Sequence, residues 1–359
     1  MYKVGIVGLG FLGGSLAKAL RNSGEVESII ACDTNIDSLN AAMEEKVIDS
    51  FVEVIDGSFS ECDFVFICTP VNYIVDYVKR LAEVVKGDCI ITDTGSTKKS
   101  ILEGVKDVNV EFIGAHPMIG SERSGYRTSK DLLFENSYYI ITKTEKNIDE
   151  NIEKLKGLIE KIKAIPVIVD ADKHDFITAA ISHVPHVVAA SLVNLVKQLD
   201  DETENMKMLA AGGFKDITRI ASSDPTMWQN ICENNKEEIL KVLNVFENII
   251  DNFKAGIDSY DSTFSFFDSS KVYRDSFINR KINGQTNPEL NISVKDENGA
   301  IAKITTLLSA NEIGIKNIEV LNNRENNYGA LRVVVRTYEE RDKGFDVLTG
   351  YGFEVVKVN

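Results

Sequence analysis

The stretch VGIVGLGFLGGSLAKAL, Val4 to Leu20, decides the fold. It begins as a short apolar run, continues as an amphipathic helical pattern, and places Gly8, Gly10 and Gly13 between the two in the spacing GxGxxG. Glycine triplets occur in many turns, but a triplet between a strand and a helix has the context of a dinucleotide-binding fingerprint. There the first glycine makes a tight turn, the second lets the backbone approach a pyrophosphate, and the third allows close helix packing.

The residue that ends the second predicted strand indicates which dinucleotide is bound. Asp33 follows Gly13 by twenty positions, and Thr34 comes next with no arginine close by. A carboxylate there accepts from the ribose hydroxyls of NAD and repels the 2′-phosphate of NADP. The alternative is a structural turn beside a surface aspartate. We predict NAD as the cofactor, with contacts from Gly8, Gly10, Phe11, Leu12, Gly13, Asp33, Thr69 and Pro70.

Short β-rich runs alternate with helical patterns over the first 170 residues. The predicted strands are KVGIVG, SIIACD, DFVFICT, CIITDT, EFIGA, YYIITK and IPVIV, and the predicted helices are LGGSLAKALRN, NYIVDYVKRLAEVV and NIDENIEKLKGLIEKIK. This alternation predicts an α/β domain with a mainly parallel, doubly wound, Rossmann-like sheet over residues 1–170.

The pattern changes after Asp170. Residues 171–283 show helical periodicity only, which predicts an all-α domain, and the polar residues 284–289 read as a linker. The pattern of residues 290–359 predicts elements in the ferredoxin-like order β-α-β-β-α-β, and therefore a separate small domain.

Charge and cysteine content limit the classes of partner. The 359 residues carry a net charge of −15, which argues against a nucleic-acid partner and favours small molecules. We find no membrane span and no signal peptide in the sequence. The five cysteines are scattered and fit neither a metal-ligand spacing nor a disulfide framework, so we predict no metal site and a reducing, cytoplasmic location.

The stretch GAHPMIG ends a predicted strand in His116, and the preceding strand ends near Ser96 in TDTGSTK. Ligands of doubly wound sheets bind beyond the carboxyl ends of the strands, so both side chains should reach the cofactor crevice. Pro117 disfavours helical geometry at His116. Histidine titrates near neutral pH and suits proton removal from an alcohol that loses hydride. Ser96 could orient the ring or share the substrate hydroxyl, and a purely structural histidine is the alternative.

Two further histidines, His183 and His186, lie three apart in AAISHVPHVVAA with Pro185 between them. The proline predicts a kinked helix. A metal site would need a thiolate or carboxylate at matching spacing, and none is present, so we expect a mostly apolar pocket wall with polar points.

The segment AAGGFKDITRIASSDPTMWQN contains Arg219 and the only tryptophan, Trp228. Arginine matches a carboxylate bidentately, and Asp216 could hold it in place. The alternative is a surface Asp–Arg helix pair.

Taken in order, GLGFLGGSLA, DTGSTK, GAHPMIGSERSG, AAISHVPH and GGFKDITRIASSDPTMW resemble the prephenate dehydrogenase family of tyrosine biosynthesis, over about residues 1–283. The tail resembles an ACT-type amino-acid-sensing domain, through its element order and DENGAIAKI. Asn298 replaces the usual proline before the loop glycine. This second resemblance implies regulatory contacts at Asn298, Gly299, Ala300 and Ile301.

The first resemblance implies oxidative decarboxylation of prephenate to 4-hydroxyphenylpyruvate with NAD. His116 would deprotonate the substrate hydroxyl beside Ser96, Arg219 would pair with the ring carboxylate, and His186 would lie near the pyruvyl side chain. The remaining substrate-binding residues that it implies are Ser182, Asp216, Trp228 and Glu122, the last on a loop at the site mouth. It also implies a homodimer through intertwined helical domains, higher oligomers through the tail, and tyrosine as effector.

Three other functions remain open at this point. A β-hydroxyacid dehydrogenase also joins a Rossmann domain to a helical one, but it depends on a helical lysine, whereas these motifs centre on His116. Arogenate could replace prephenate as the substrate, since one contact rarely settles such a choice. A catalytically silent sensor of NAD and an amino acid would not need Ser96, His116 and Arg219 together.

Overall fold

The computed structural model describes residues 1–120, 124–278, 288–295, 297–323 and 328–358. The chain divides into two compact units, Met1–Ile249 and Ile250–Asn359.

The first unit contains an eight-stranded sheet in the order β3-β2-β1-β4-β5-β6-β7-β8. Its strands are β1 (Tyr2–Val7), β2 (Val26–Cys32), β3 (Ser50–Val52), β4 (Phe64–Ile67), β5 (Ile90–Asp93), β6 (Glu111–Pro117), β7 (Tyr138–Thr142) and β8 (Ile165–Ile168). Neighbouring strands are parallel except β6 and β7, which run antiparallel. The predicted Rossmann-like sheet and its seven predicted strands are confirmed. The short strand β3 was not predicted.

The order 3-2-1-4-5-6 reverses direction between β1 and β4, and doubly wound sheets bind dinucleotides at that switch point. Helices cover both faces: α1 (Phe11–Asn22), α2 (Ile36–Glu44), α3 (Val71–Ala82), α4 (Lys99–Val105) and α5 (Asp149–Lys161). One apolar core forms around α1 and α5, and the other around α3 and α4. The central strands are therefore buried on both faces, which explains their near-continuous apolar sequences, whereas the edge strand β8 is largely exposed.

Only helices follow β8 in the first unit: α6 (Ala171–Thr178), α7 (Val184–Leu199), α8 (Asn205–Leu209), α9 (Gly212–Thr218), α10 (Pro225–Asn234) and α11 (Lys236–Gly256), the last of which continues into the second unit. A π-helical turn, Ala179–His183, joins α6 to α7. Pro185 lacks the amide that would bond the carbonyl four residues earlier, and a wider turn accommodates this loss. The sequence predicts a kink at this proline, and the structure shows a π-helical turn that begins ahead of it.

The helical segment Ala171–Leu199 is long and apolar enough to cross a membrane by length and composition alone, in contrast to the sequence-based expectation. Core helices pass the same test, so the criterion is weak. Only 28% of its most apolar window is buried within this chain, and Val193, Leu195 and Leu199 are exposed. Large exposed apolar patches usually mark contact surfaces.

The second unit contains α12 (Tyr260–Ile278) and a four-stranded antiparallel sheet in the order β10-β11-β9-β12. The elements of its terminal module are β9 (Glu289–Lys295), α13 (Ala300–Ala310), β10 (Ile315–Asn323), β11 (Tyr328–Val335), α14 (Tyr338–Gly350) and β12 (Glu354–Val358). The predicted β-α-β-β-α-β order is confirmed. Most of the predicted linker lies outside the described residues, and β9 already begins at Glu289.

Candidate active site

The three fingerprint glycines occupy three different environments at the carboxyl end of β1. Gly8 has a φ of +92°, and a Cβ there would lie 2.8 Å from the carbonyl oxygen of Cys68. A Cβ on Gly13 would lie 1.9 Å from the carbonyl oxygen of Gly8, so α1 packs too tightly against the turn for a side chain. A Cβ on Gly10 would meet nothing within 4 Å. This open position allows a ligand to approach the backbone.

The start of α1 is suited to an anion. Gly10 caps the helix without a side-chain hydrogen bond, and the first turn contains no acidic residue. No side chain therefore neutralises the positive end of the helix dipole, where the free amides can bind an anion. Asp33, after β2, accepts hydrogen bonds from the amides of Leu9 and Asn35. Each carboxylate oxygen keeps a further lone pair for a ribose hydroxyl. Thr69, before α3, has a buried hydroxyl that finds no partner among the described residues. These groups fit a dinucleotide.

His116 is the last residue but one of β6, and its ring is held by a second histidine. His116 Nδ1 lies 2.9 Å from His174 Nε2, and His174 Nδ1 lies 2.7 Å from Asp175 Oδ1. Asp175 also accepts from the amides of Lys98, at 2.7 Å, and Lys99, at 2.9 Å. The carboxylate therefore joins α6 to the start of α4 and supports both rings.

Burial sets the charge states in this line of side chains. It holds the pKa of His116 well below its usual value, and electrostatic interactions with His174, Lys98 and His183 lower this pKa further. Burial also lowers the pKa of His174, although Asp175 opposes the shift. For Asp175, burial raises the pKa, but hydrogen bonds from His174 and the two amides outweigh it and the net shift is downward. Near neutral pH the rings are neutral and the carboxylate is charged.

A second carboxylate, that of Asp93, connects the two strand ends that carry Ser96 and His116. Asp93 ends β5 and accepts hydrogen bonds from the amides of Gly95, at 2.8 Å, and Ala115, at 2.9 Å. It also pairs with the ammonium group of Lys98, and both side chains are fully buried. Burial lowers the pKa of Lys98, and Asp93 opposes this. Because Gly95 precedes Ser96 and Ala115 precedes His116, this clamp fixes both backbones. Ser96 itself is half-buried, and its hydroxyl forms no hydrogen bond to another described residue.

The helical region contributes the other two histidines. His186 stacks on Trp228, with ring centroids 3.9 Å apart, and its Nδ1 donates to the carbonyl of Ser182 at 2.9 Å. Buried His183 accepts at Nδ1 from the amide of Asn235, at 3.0 Å. The indole N–H of Trp228 is buried and finds no hydrogen-bond partner among the described residues. This surface therefore combines stacked rings with an unused donor.

Arg219 and Asp216 are exposed side chains on a segment that packs against α7, the helix that carries His186. Glu122 lies outside the described residues. Sequence reasoning missed Asp93, Lys98, Asp175 and Asn235, and left His174 without a role. The adjacent His–Asp pair in DKHDF was the signal that could have pointed to His174 and Asp175.

Comparisons with known proteins identify the family of this chain. Residues 16–168 match the family model of the prephenate dehydrogenase nucleotide-binding domain, and residues 170–269 match that of the prephenate dehydrogenase dimerization domain. The prephenate dehydrogenase of Bacillus subtilis is 35% identical over 94% of this chain and 93% of its own length. The chain belongs to the prephenate dehydrogenase family.

Two solved structures extend the likeness to the fold of the family. Prephenate dehydrogenase from Aquifex aeolicus, in complex with hydroxyphenyl propionate and NAD⁺, is 33% identical, with a TM-score of 0.74 over 77% of this chain and 98% of that one. Arogenate dehydrogenase from Synechocystis is 26% identical, with a TM-score of 0.69 over 77% of this chain and all of its own. The N-terminal domain is therefore the nucleotide-binding domain of this family, with NAD as its cofactor as predicted, and the helical region is the family's dimerization domain.

Proposed function

We propose that this chain catalyses the NAD-dependent oxidative decarboxylation of prephenate to 4-hydroxyphenylpyruvate. The observation that supports it is a neutral His116 at the carboxyl end of β6, hydrogen-bonded at Nδ1 to His174. The residues that precede His116 and Ser96 donate to the same Asp93 carboxylate. His116 takes the hydroxyl proton of the ring alcohol. Bound NAD supplies the acceptor for the hydride that leaves the same carbon. The carbonyl formed is conjugated toward the ring carboxylate, and loss of carbon dioxide leaves an aromatic phenol.

The substrate contacts are part of the proposal. Arg219 pairs with the ring carboxylate, because an unpaired carboxylate is costly to enclose. His186, Ser182 and Trp228 lie beside the pyruvyl side chain, and the unused indole donor of Trp228 supports this placement. Asp216 and Glu122 complete the polar surround.

The deciding experiment follows NADH absorbance after adding prephenate, arogenate or a simple β-hydroxyacid to the purified chain, with NAD⁺ or NADP⁺. We expect oxidation of prephenate with NAD⁺. An Asp33→Ser variant should narrow the preference for NAD⁺ over NADP⁺. Activity with the hydroxyacid alone would overturn the proposal, and activity with none of the three would indicate a silent sensor.

Arogenate is the second candidate, because the Synechocystis structure belongs to an arogenate dehydrogenase. Arogenate has an amine where prephenate has a keto group. His186 is neutral because burial lowers its pKa, and its Nδ1 donates to the carbonyl of Ser182, so its Nε2 can only accept a hydrogen bond. The ratio of kcat/KM for the two substrates decides between them.

Regulation and assembly complete the proposal. We propose a homodimer through α7, with further association through the β-α-β-β-α-β module, in the reducing cytoplasm, where the five free cysteines remain reduced. Tyrosine is the proposed effector, bound near Asn298, Gly299, Ala300 and Ile301, because this turn is exposed at the start of α13. Deleting residues 287–359 should leave activity and remove tyrosine inhibition, a coupling of about 1–3 kcal/mol. Inhibition that survives the deletion and competes with prephenate would place tyrosine at the active site.

A further inference from the structure

The line of hydrogen bonds His116–His174–Asp175 determines which nitrogen of His116 is protonated, in addition to where the ring lies. Each histidine ring has two nitrogens, and a neutral ring protonates only one of them. Which nitrogen of His116 has a free lone pair decides where a substrate proton can go. The hydrogen bonds along the line determine this.

The protons can be assigned from the Asp175 end. An ionised carboxylate only accepts hydrogen bonds, so the proton between Asp175 and His174 belongs to His174 Nδ1. A neutral His174 then has a bare Nε2, which can only accept. Because His174 Nε2 lies 2.9 Å from His116 Nδ1, the proton between the rings belongs to His116 Nδ1. The one lone pair left on the His116 ring is on Nε2.

We propose that His174, itself oriented by Asp175, is a positioning residue that fixes the tautomer of His116 and thereby makes Nε2 the atom that receives the substrate's hydroxyl proton. This inference rests on the proposed function. The proton count balances: the hydroxyl proton arrives at Nε2 of His116, the Nδ1 proton stays on His116 and is still donated to His174 Nε2, and the Asp175 carboxylate faces the resulting imidazolium through one intervening ring.

A purely structural role is the competing explanation. Asp175 binds the amides of Lys98 and Lys99, so the line could simply attach α6 to the start of α4. A test must therefore distinguish the effect of losing the hydrogen-bond acceptor at the His174 Nε2 position from the effect of destabilising this region.

Two variants of His174 make a matched pair. The amide of glutamine reaches about as far as histidine Nε2, so His174→Gln keeps an oxygen that can accept from His116 Nδ1. His174→Phe has a ring of similar size with no acceptor. Both lose the bond to Asp175, and both leave the bonds between Asp175 and the two amides in place. They differ mainly in the acceptor offered to His116.

The direct readout is ¹⁵N NMR of histidine-labelled protein, which reports the protonated nitrogen of each ring without any substrate. The chain has only four histidines, so the spectrum is small. His186, bonded through Nδ1 to a backbone carbonyl, serves as an internal reference. In the wild type and in His174→Gln we expect the proton of His116 on Nδ1. In His174→Phe, the ring should revert to the Nε2–H form that histidine ordinarily prefers in water.

Kinetics with prephenate give the second readout. Loss of a correctly protonated general base typically lowers turnover about 10²–10⁴-fold, and His174→Phe should approach the lower end. His174→Gln should stay within about tenfold of the wild type, with KM values near the wild-type ones in both variants. An unchanged His116 tautomer in His174→Phe would overturn the inference. So would equal kinetic losses in the two variants with matching losses of thermal stability. Failure of the wild type to oxidise prephenate would instead contradict the proposed function, since the NMR result does not depend on it.

Discussion

The first unit and the C-terminal module both bury ionisable side chains, but in different ways. Around β5, β6 and α6 the described residues bury Asp93, Lys98, His174 and Asp175, each with partners far away in sequence. In the module's sheet, the described buried ionisable side chain is Glu289, and Arg332 of the adjacent strand binds it through Nε at 2.7 Å.

This difference indicates a chemical role for the buried network of the first unit and a structural role for the pair in the module. A buried network must be fully satisfied, because each unpaired member is costly, and such networks occur where a protein needs groups held in fixed protonation states. The single pair in the module joins two neighbouring strands and remains partly exposed, with Glu319 as a further partner of Arg332 at 3.3 Å. We therefore expect substitutions in the first network to change catalysis and substitutions in the module to change only stability or regulation.

The largest expected effect tests the catalytic side of this comparison. His116→Asn should keep NAD and prephenate binding, measured by calorimetry, and lose turnover by about 10²–10⁴-fold, because the general base is gone. A turnover number within threefold of the wild type would show that His116 is not the base and that its network is structural.

Removing one carboxylate from each region compares the two kinds of burial directly. Asp93→Asn leaves Lys98 buried without its anion and should lower the free energy of unfolding by about 3–5 kcal/mol. Glu289→Gln should cost about 1 kcal/mol, because the pair is partly exposed and Arg332 keeps Glu319. Fluorescence of the single tryptophan, Trp228, follows the first unit in denaturant, and hydrogen exchange of β9 and β11 follows the module. Equal losses would remove the distinction.

Substrate affinity provides the next test. Arg219→Gln should raise the KM for prephenate more than it lowers turnover, by the equivalent of about 1.5–3 kcal/mol, because a charge-assisted pair is lost. Arg274→Gln, an exposed arginine on α12, is the control and should behave like the wild type. If KM is unchanged in Arg219→Gln, the carboxylate must bind elsewhere.

The pH dependence of stability should also differ between the regions. Burial lowers the pKa of His183 from 6.5 to about 4, so the unfolded chain binds more protons between these values. The contribution of neutral His183 to the free energy of unfolding is therefore fully present above pH 6.5 and is lost as the pH falls towards 4. At pH 5 the loss should be about 2 kcal/mol.

Its control is His183→Asn, which does not titrate and should show a smaller loss when Trp228 fluorescence is compared at pH 7 and pH 5. The second unit contains no histidine, so exchange in β9 and β11 should lack this slope. The same loss in both regions would assign the effect to the carboxylates.

Much of this arrangement was predictable from local sequence. The fingerprint glycines, the apolar strands and the strand-end position of His116 depend on residues close together in the chain, so periodicity and turn chemistry were sufficient. The module's element order was predictable for the same reason. The three-residue β3 is too short to show a period.

The support of the site was not predictable in this way. Asp175 reaches the amide of Lys98 across 77 positions, and His174 reaches His116 across 58, so the fold must be known before either contact can be inferred. Ser96 was a candidate for orienting the ring of His116, and the structure shows a hydrogen bond between that ring and His174. The π-helical turn was missed because its wider hydrogen bonding leaves little trace in the apolar pattern.

The smallest expected effect concerns the module, where two glycines form a matched pair. Gly299, at the start of α13, and Gly352, after α14, have φ values of +87° and +85°, and a Cβ on either would meet nothing within 4 Å. Alanine at either position should therefore cost the module a similar amount, about 1 kcal/mol, through backbone strain alone. Gly299 belongs to the proposed effector loop and Gly352 does not. We expect Gly299→Ala to weaken tyrosine inhibition several-fold and Gly352→Ala to leave it unchanged. Both variants should lose the same amount of hydrogen-exchange protection in β9. Equal weakening in both would mean that inhibition follows the stability of the module, and no weakening in either would indicate that tyrosine acts at the active site.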